Sequence, residues 1–131
     1  IDLPVTTMMR SKYGCYSEYH TSLDDLTLVT PRGLADSFLA LRRAIECLEL
    51  DEYCEATVLG EPQLGCRGLY PNLSTRESGA QVKDMMNLLA YSDGHLSLFE
   101  IAEIIEVPFW RVEPLARKLM DAGVLRRRSR L

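Results

Sequence analysis

The side chains whose types and spacing suit chemistry are concentrated in residues 18–25. These eight residues carry one imidazole, on His20, together with two aliphatic hydroxyls and three carboxylates. Imidazole nitrogens and carboxylate oxygens are common zinc ligands and common proton carriers in catalysis. We therefore predict that His20 is the residue most directly involved in metal binding or catalysis.

Spacing alone leaves two interpretations of His20 open. A metal site needs three or four converging donors, and this segment supplies a single histidine with nearby carboxylates. No His-Glu-x-x-His pair or comparable motif is present. The other interpretation is a loop histidine whose neighbours Ser22 and Asp25 cap a short turn, and spacing favours this one.

The composition bounds the class of protein. The chain has 131 residues, of which 47% are hydrophobic, enough for one ordinary domain or two small ones with a packed core. No apolar run approaches the roughly 18–20 residues that span a bilayer, so we expect no membrane association. The sequence begins at Ile1 without an initiator Met or a signal peptide, and we expect a processed chain or a piece of a longer protein located in the cytoplasm.

The cysteines and the charges carry further information. The four cysteines show no Cys-x-x-Cys spacing, so we expect free thiols rather than a zinc finger or disulfides. The formal net charge of −4 is unevenly distributed, with twelve acidic and seven basic residues in 1–79 but seven acidic and eight basic residues in 80–131. Such a split is typical of units with different partners.

The first third of the chain is predicted to hold a strand, a loop and a helix. We expect a short strand at Val5–Met9, and then a loop in which three tyrosines either pack the loop or line a pocket. Thr30 is a good N-cap and Pro31 a favoured first residue for a helix that runs to about Leu50. Apolar residues recur along this helix with a period of 3.6 and predict one buried face. They are Leu34, Phe38, Leu41, Ala44, Ile45 and Leu48.

The remainder is predicted to be a connector followed by a helical domain. Glycines and prolines interrupt residues 51–79, which indicates an extended connector with a hairpin. From residue 80 the order is helix, turn, short helix, turn, long helix, Gly123 and a final strand, which is the pattern of a winged helix-turn-helix. Ser97 and Glu100 form a capping box at the start of the short helix.

The start of the long helix bears on what this domain binds. A DNA-reading helix presents polar and basic residues near its N-terminal end, whereas this one begins with Phe109, Trp110 and Arg111. Two aromatics beside one arginine favour packing against protein, either docking or dimerisation. The arginines of residues 126–130 could contact phosphates, so a DNA-binding regulator remains an alternative, although we expect nucleic acid not to be the partner.

Two longer motifs resemble a known family. Residues 19–26, Tyr-His-Thr-Ser-Leu-Asp-Asp-Leu, with the following Val29–Leu34 segment, look like the end of the catalytic domain in a bacterial family of aminopeptidase-like proteins. Members are related to co-catalytic zinc exopeptidases and are often associated with polysaccharide biosynthesis. Residues 60–71 resemble the family's next segment, and residues 80–131 resemble its C-terminal winged helix.

The resemblance implies roles for particular residues. In such exopeptidases the histidine of a His-Thr-x-x-Asp sequence binds one of two metal ions, and His20 stands at that position. Asp24 stands at the aspartate of the motif and is implied to orient the loop from outside the metal's own ligands. The implied cofactor is zinc and the implied substrate is peptide-like. The family's other ligands and its general-base glutamate have no match here, so we expect this chain alone to be inactive.

These inferences combine into one α+β prediction. Residues 1–50 are assigned to the end of an α/β aminopeptidase-like domain, residues 51–79 to the connector, and residues 80–131 to the winged helix-turn-helix domain. A helix and strand without their sheet would expose apolar faces. We therefore expect the remainder of the catalytic domain, or a second copy of the chain, to cover them.

Overall fold

The computed structural model describes residues 3–70 and 76–129, and it divides into two compact units, Ile1–Glu46 and Cys47–Leu131. Helices and one small antiparallel sheet make up the regular structure, which confirms the α+β prediction. Within the described residues, no helix is both long and apolar enough to cross a bilayer. The motif at residues 60–71 ends at residue 71, which lies outside the described range.

The first unit consists of an irregular N-terminal segment, a series of turns and the greater part of helix α1, Pro31–Leu50. Thr30 caps α1 as predicted, because its Oγ1 accepts a hydrogen bond from the Gly33 N–H at 3.0 Å. The predicted strand at residues 5–9 is wrong, since this segment is irregular. A strand needs a neighbour to satisfy its backbone groups, and the described part of this unit offers none.

The apolar stripe of α1 exists but is not buried. No residue of this helix is fully buried, and the apolar residues at its predicted inner face are largely exposed. Five of them follow one another at spacings of four and three residues: Leu34, Phe38, Leu41, Ile45 and Leu48. The expected buried face is therefore wrong for this chain, because no described element covers it.

The second unit begins at the end of α1 and holds the remaining elements. In order they are β1 Tyr53–Ala56, α2 Arg76–Tyr91, β2 Asp93–Ser97, α3 Leu98–Ile104, α4 Phe109–Asp121 and β3 Leu125–Arg128. The short helix α3 starts with the predicted capping box: Ser97 Oγ accepts from the Glu100 N–H, and the Glu100 carboxylate accepts from the Ser97 N–H at 2.7 Å.

The sheet has the strand order β2-β1-β3 and both pairings are antiparallel. Strand β1 therefore lies at the centre, with Cys54 opposite Arg127 of β3. Residues 53–56 fall in the segment predicted to be a connector, and residues 93–97 fall largely in a segment predicted to be a turn. The hairpin expected within 51–79 is absent from the described part of that segment, since β1 pairs only with strands distant in sequence; residues 71–75 lie outside the description.

Apolar side chains from α2, α3 and α4 pack with those of β1 and β3 into one core. The largest fully buried side chains are Leu64, Met85, Leu88, Leu98, Ile101, Leu119, Val112, Val124 and Cys54. Leu64 belongs to none of the helices or strands, so the irregular segment after β1 is anchored in the core. Burial of this set holds α3 and α4 in the helix-turn-helix arrangement.

Candidate functional site

His20 lies in a turn that presents its side chain to solvent. Its φ angle is +59°, in the left-handed region that residues other than glycine seldom adopt. The imidazole is exposed, and its centroid lies 4.1 Å from that of the Tyr19 ring. The backbone around it is fixed by Thr21, whose hydroxyl donates to the Glu18 carbonyl at 2.8 Å and accepts from the Leu23 N–H at 3.2 Å.

Asp25 fixes the next turn of the same segment. Its Oδ1 accepts from the Thr27 N–H at 2.8 Å and from the Thr27 hydroxyl at 2.7 Å. These bonds stabilise the carboxylate and lower the pKa of Asp25, the hydroxyl of Thr27 having the largest effect. Thr21 and Asp25 thus cap the turns, and Ser22, which the simpler interpretation paired with Asp25, is not the residue that does so.

Asp24, which the motif implies orients this loop, contacts the loop through its backbone in this structure. Asp24 contributes a backbone N–H to the Thr21 carbonyl at 3.2 Å, and its carboxylate makes no hydrogen bond or ion pair within residues 3–70 and 76–129. The tyrosines around the segment pack on one another, with ring centroids 5.7 Å apart for Tyr16 and Tyr19 and 6.2 Å apart for Tyr13 and Tyr19. They form an aromatic cluster beside the imidazole.

The donor set around His20 does not make a metal site by itself. Across the described residues, no three His, Cys, Asp or Glu side chains converge as metal ligands would. A zinc site needs three or four donors, and one exposed imidazole supplies one. His20 is accessible enough to serve as a single ligand, but the other ligands would have to come from outside this segment.

In the second unit, Cys47–Leu131, only one of the two aromatic residues at the start of α4 is exposed to solvent. Phe109 is 5% exposed and packs on Phe99, with ring centroids 6.1 Å apart, whereas Trp110 is 48% exposed. The prediction that both Phe109 and Trp110 are available for docking is therefore wrong for Phe109. Successive helical residues point about 100° apart, so only one of the two can face away from the core.

The arginines of α4 are held by carboxylates of the same unit. Arg111 Nη2 lies 3.1 Å from Asp84 Oδ2 on α2. Arg117 Nε lies 2.7 Å from Glu113 Oε1, one helical turn earlier. Each pair cancels a charge that a DNA-reading helix would offer to phosphates or base edges.

Two of the three arginines of β3 are paired with carboxylates in the same way. Arg126 donates through two nitrogens to Glu55 Oε2, at 2.9 and 3.2 Å, and Arg127 Nε lies 2.6 Å from Glu52 Oε2. The second oxygen of Glu52 is buried without a hydrogen-bond partner in the described structure, and burial raises the pKa of this carboxyl group. Arg126 and Arg127 are thus paired with Glu55 of β1 and with Glu52, which precedes β1, whereas Arg128 donates to the Asp93 carbonyl instead.

The cysteines are free thiols, as expected, and one of them is deeply buried. Cys54 on β1 is fully inaccessible to solvent. Burial, reinforced by the nearby Glu52 carboxylate, raises the pKa of the Cys54 thiol to about 12. Cys54 is therefore a core residue rather than a nucleophile.

Some of these contacts could have been found in the sequence. Glu113 and Arg117 stand four residues apart, the spacing that allows an ion pair on one helix face. The pairs Glu52–Arg127 and Glu55–Arg126 depend on the β1–β3 register, which joins residues about seventy positions apart. No local pattern encodes that register.

Two family models together match nearly all of the chain. Residues 52–127 match the winged helix-turn-helix family, and residues 1–51 match a domain of unknown function (DUF4910). The first match spans more than half of the chain and coincides with the unit that holds the sheet and α2–α4. It confirms the winged helix-turn-helix predicted from the order of elements.

Longer relatives resemble both parts at once. A candidate polysaccharide biosynthesis protein with an aminopeptidase-like domain, from Clostridium acetobutylicum, is 35% identical over 96% of this chain and 29% of its own length. A crystal structure of a candidate peptidase from the same organism aligns with a TM-score of 0.75 and 32% identity, over 92% of this chain and 26% of that one. The chain thus spans less than a third of either relative, and the resemblance inferred from the motifs is confirmed.

Proposed function

The chain belongs to the winged helix-turn-helix family through residues 52–127, and on this premise we propose that it forms part of a zinc-dependent aminopeptidase-like hydrolase in which the winged helix docks on protein. The similarity to an aminopeptidase-like protein over 96% of this chain supports the first half of the proposal. The parent would act on a peptide-like substrate. The 131 residues alone would have no peptidase activity.

His20 is the residue of this chain that we assign to the metal. It stands at the histidine of the His-Thr-x-x-Asp sequence, and the hydrogen bonds of Thr21 and Asp25 hold its turn so that the imidazole is exposed. Asp24 would orient this loop once the rest of the site is present. The remaining ligands and the general base would come from the rest of the catalytic domain.

The rest of that domain would also cover the apolar stripe of α1. A helix with five large apolar side chains exposed along one face is not a stable surface in water. In the 131-residue chain studied alone, a second copy would cover the stripe instead. Light scattering checks this, and a monodisperse monomer at all concentrations would contradict it.

The observation that carries the docking role is the pairing of four arginines with carboxylates. Arg111, Arg117, Arg126 and Arg127 each lie within 3.1 Å of a carboxylate oxygen of the same unit. Affinity for nucleic acid comes mainly from unpaired cations that neutralise phosphates. A helix-turn-helix in which these four arginines are already paired is better suited to a protein surface.

A gel-shift experiment separates docking from nucleic-acid binding. The 131-residue chain is mixed with random-sequence duplex DNA at low salt, where non-specific binding is strongest. We expect no shift at micromolar protein. A control with Glu52→Gln and Glu55→Gln, which frees Arg126 and Arg127, should bind the duplex more strongly than the unmodified chain. A salt-sensitive shift by the unmodified chain would contradict the docking role and favour the alternative, a DNA-binding regulator.

The hydrolase assignment has its own test. Zinc content and hydrolysis of aminoacyl-anilides are measured for the chain alone, and we expect neither stoichiometric zinc nor turnover. The coding sequence upstream of Ile1 should contain further His, Asp and Glu ligand motifs. Activity of the isolated chain with bound zinc would contradict the proposal, as would an upstream sequence without such motifs.

A further inference from the structure

A groove of about 350 Å³ lies beside the turn that joins α3 to α4. Its apolar walls include Phe99, Val107 and Trp110, and Glu103 and Glu106 stand along it. The side chains of Phe99 and Trp110 are 39% and 48% exposed, which is high for large aromatics packed on a core. Exposed aromatic surface bounded by charged residues is typical of a protein-binding site.

The charges along the groove are of one sign. None of the described residues that line it is Lys or Arg. Glu103 lies in the last turn of α3 and Glu106 follows that helix, where the negative end of the helix dipole disfavours carboxylates, and α3 has no basic residue in its last turn. Neither carboxylate forms an ion pair within the described part of the chain. A cation brought by a partner would offset the repulsion between the negative end of α3 and the carboxylates of Glu103 and Glu106.

This complementarity selects one occupant. Building on the docking role proposed above, we infer that the groove receives a basic amphipathic segment of a partner protein. Its apolar side chains would pack on Phe99, Val107 and Trp110, and its Lys or Arg side chains would pair with Glu103 and Glu106.

The other possible occupants fit the groove less well. Nucleic acid would bring phosphates next to two unpaired carboxylates, which repel them. A second copy that docked groove to groove would bring the carboxylates of both copies together, because the described residues that line the groove include no Lys or Arg. A basic partner segment meets neither obstacle.

Trp110 provides the readout, because it is the only tryptophan in the chain. The probe is an amphipathic peptide of about 18 residues, or five helical turns, made of Leu and Lys. A matched peptide carries Glu in place of every Lys. We expect the Lys peptide to shift the Trp110 emission to shorter wavelength at low salt, and the Glu peptide to leave it unchanged.

Charge reversal then locates the binding site. Glu103→Lys and Glu106→Lys should each weaken binding of the Lys peptide about fivefold or more, because a like charge now faces the partner. The matched control is Glu61→Lys, which makes the same change of net charge at an exposed residue outside the groove and should alter the affinity less than twofold.

Several results would overturn the inference. They are equal binding of the two peptides, an emission that neither peptide shifts, an equal loss of affinity in Glu61→Lys, or an emission that depends on protein concentration alone, which would indicate a second copy in the groove. These failures would leave the docking role in place, because that role is contradicted only by binding of the unmodified chain to duplex DNA.

Discussion

Glu106 and Gly123 occupy the same position in two copies of one helix-terminating turn. Their φ angles are +56° and +69°. After α3, the N–H groups of Glu106 and Val107 donate to the carbonyls of Glu103 and Ala102, at 3.2 and 3.0 Å. After α4, Gly123 and the next residue make the equivalent bonds at 2.9 and 3.0 Å. This is the Schellman arrangement, in which glycine is the usual residue at the left-handed position.

Replacing Glu106 by glycine is expected to stabilise the winged-helix unit. A residue with a Cβ pays roughly 1–2 kcal/mol in the left-handed region, and removal of a carboxylate from the negative end of α3 adds to the gain. Glycine loses part of this advantage through its greater freedom in the unfolded chain. We expect a net gain of about 1 kcal/mol in the free energy of unfolding, measured by urea denaturation.

The matched control for this change is Gly123→Ala. No atom lies within 4 Å of a Cβ built at Gly123, so the substitution tests backbone conformation without a steric clash. It should lower the free energy of unfolding by about 1 kcal/mol. If Glu106→Gly proved neutral or destabilising while Gly123→Ala behaved as expected, Glu106 would be stabilised by contacts that its exposed position does not suggest.

The Asp25–Thr27 contact should be visible in the titration of a single carboxyl group. Removal of the Thr27 hydroxyl by Thr27→Val deletes the largest cause of the lowered pKa of Asp25, so this pKa should rise toward its ordinary value. Because the folded pKa is the lower one, the contact stabilises the turn above the ordinary pKa and is lost as the pH falls through the folded value. Carboxyl carbon chemical shifts measure it, and an unchanged pKa in the variant would refute the assignment.

The rate at which each cysteine reacts with iodoacetamide should depend on how deeply its thiol is buried. Cys15 and Cys66 are exposed and should be alkylated rapidly at pH 8, whereas Cys54 should react only when the chain unfolds. Mass spectrometry of peptides identifies each site. Alkylation of Cys54 as fast as Cys66 would show that β1 is not buried as described.

The raised pKa of Cys54 has a consequence for stability at high pH. The folded chain retains the thiol proton up to about pH 12, whereas the unfolded chain loses it near pH 9. The folded state therefore binds more protons in this window, and stability should fall as the pH rises from about 9 to about 12. In Cys54→Ala the free energy of unfolding should fall less steeply with pH over that window. An identical pH dependence in the variant and the unmodified chain would show that the Cys54 thiol is not the cause.

Local signals in the sequence predicted helix boundaries well. The Thr30 cap and the Ser97–Glu100 capping box each depend on residues three positions apart, so the pattern contains all the partners. The long helix that the sequence places between Phe109 and Gly123 is present as α4, Phe109–Asp121.

Features that depend on distant partners were not predicted. The sequence pattern of the four β1 residues indicates a polar segment rather than a strand. They form the central strand because residues 93–97 and 125–128 pair with them on either side. The stripe of α1 shows the reverse case: its periodicity correctly indicates an apolar face but cannot tell whether the same chain covers it. The metal role of His20 rests on a motif and stays a prediction, because no other residue of this sequence matches the ligands that the motif implies.

Zinc binding by the complete parent protein tests the central claim most directly. The chain contains two histidines, His20 and His95, both exposed, so His95→Ala is a matched control for His20→Ala. Zinc content and affinity are measured for both variants after confirming that each is folded. We predict that His20→Ala weakens zinc binding about a hundredfold or more while His95→Ala does not change it, since only the first removes a metal ligand. Equal zinc affinity in the two variants would contradict the assignment of His20 to the metal.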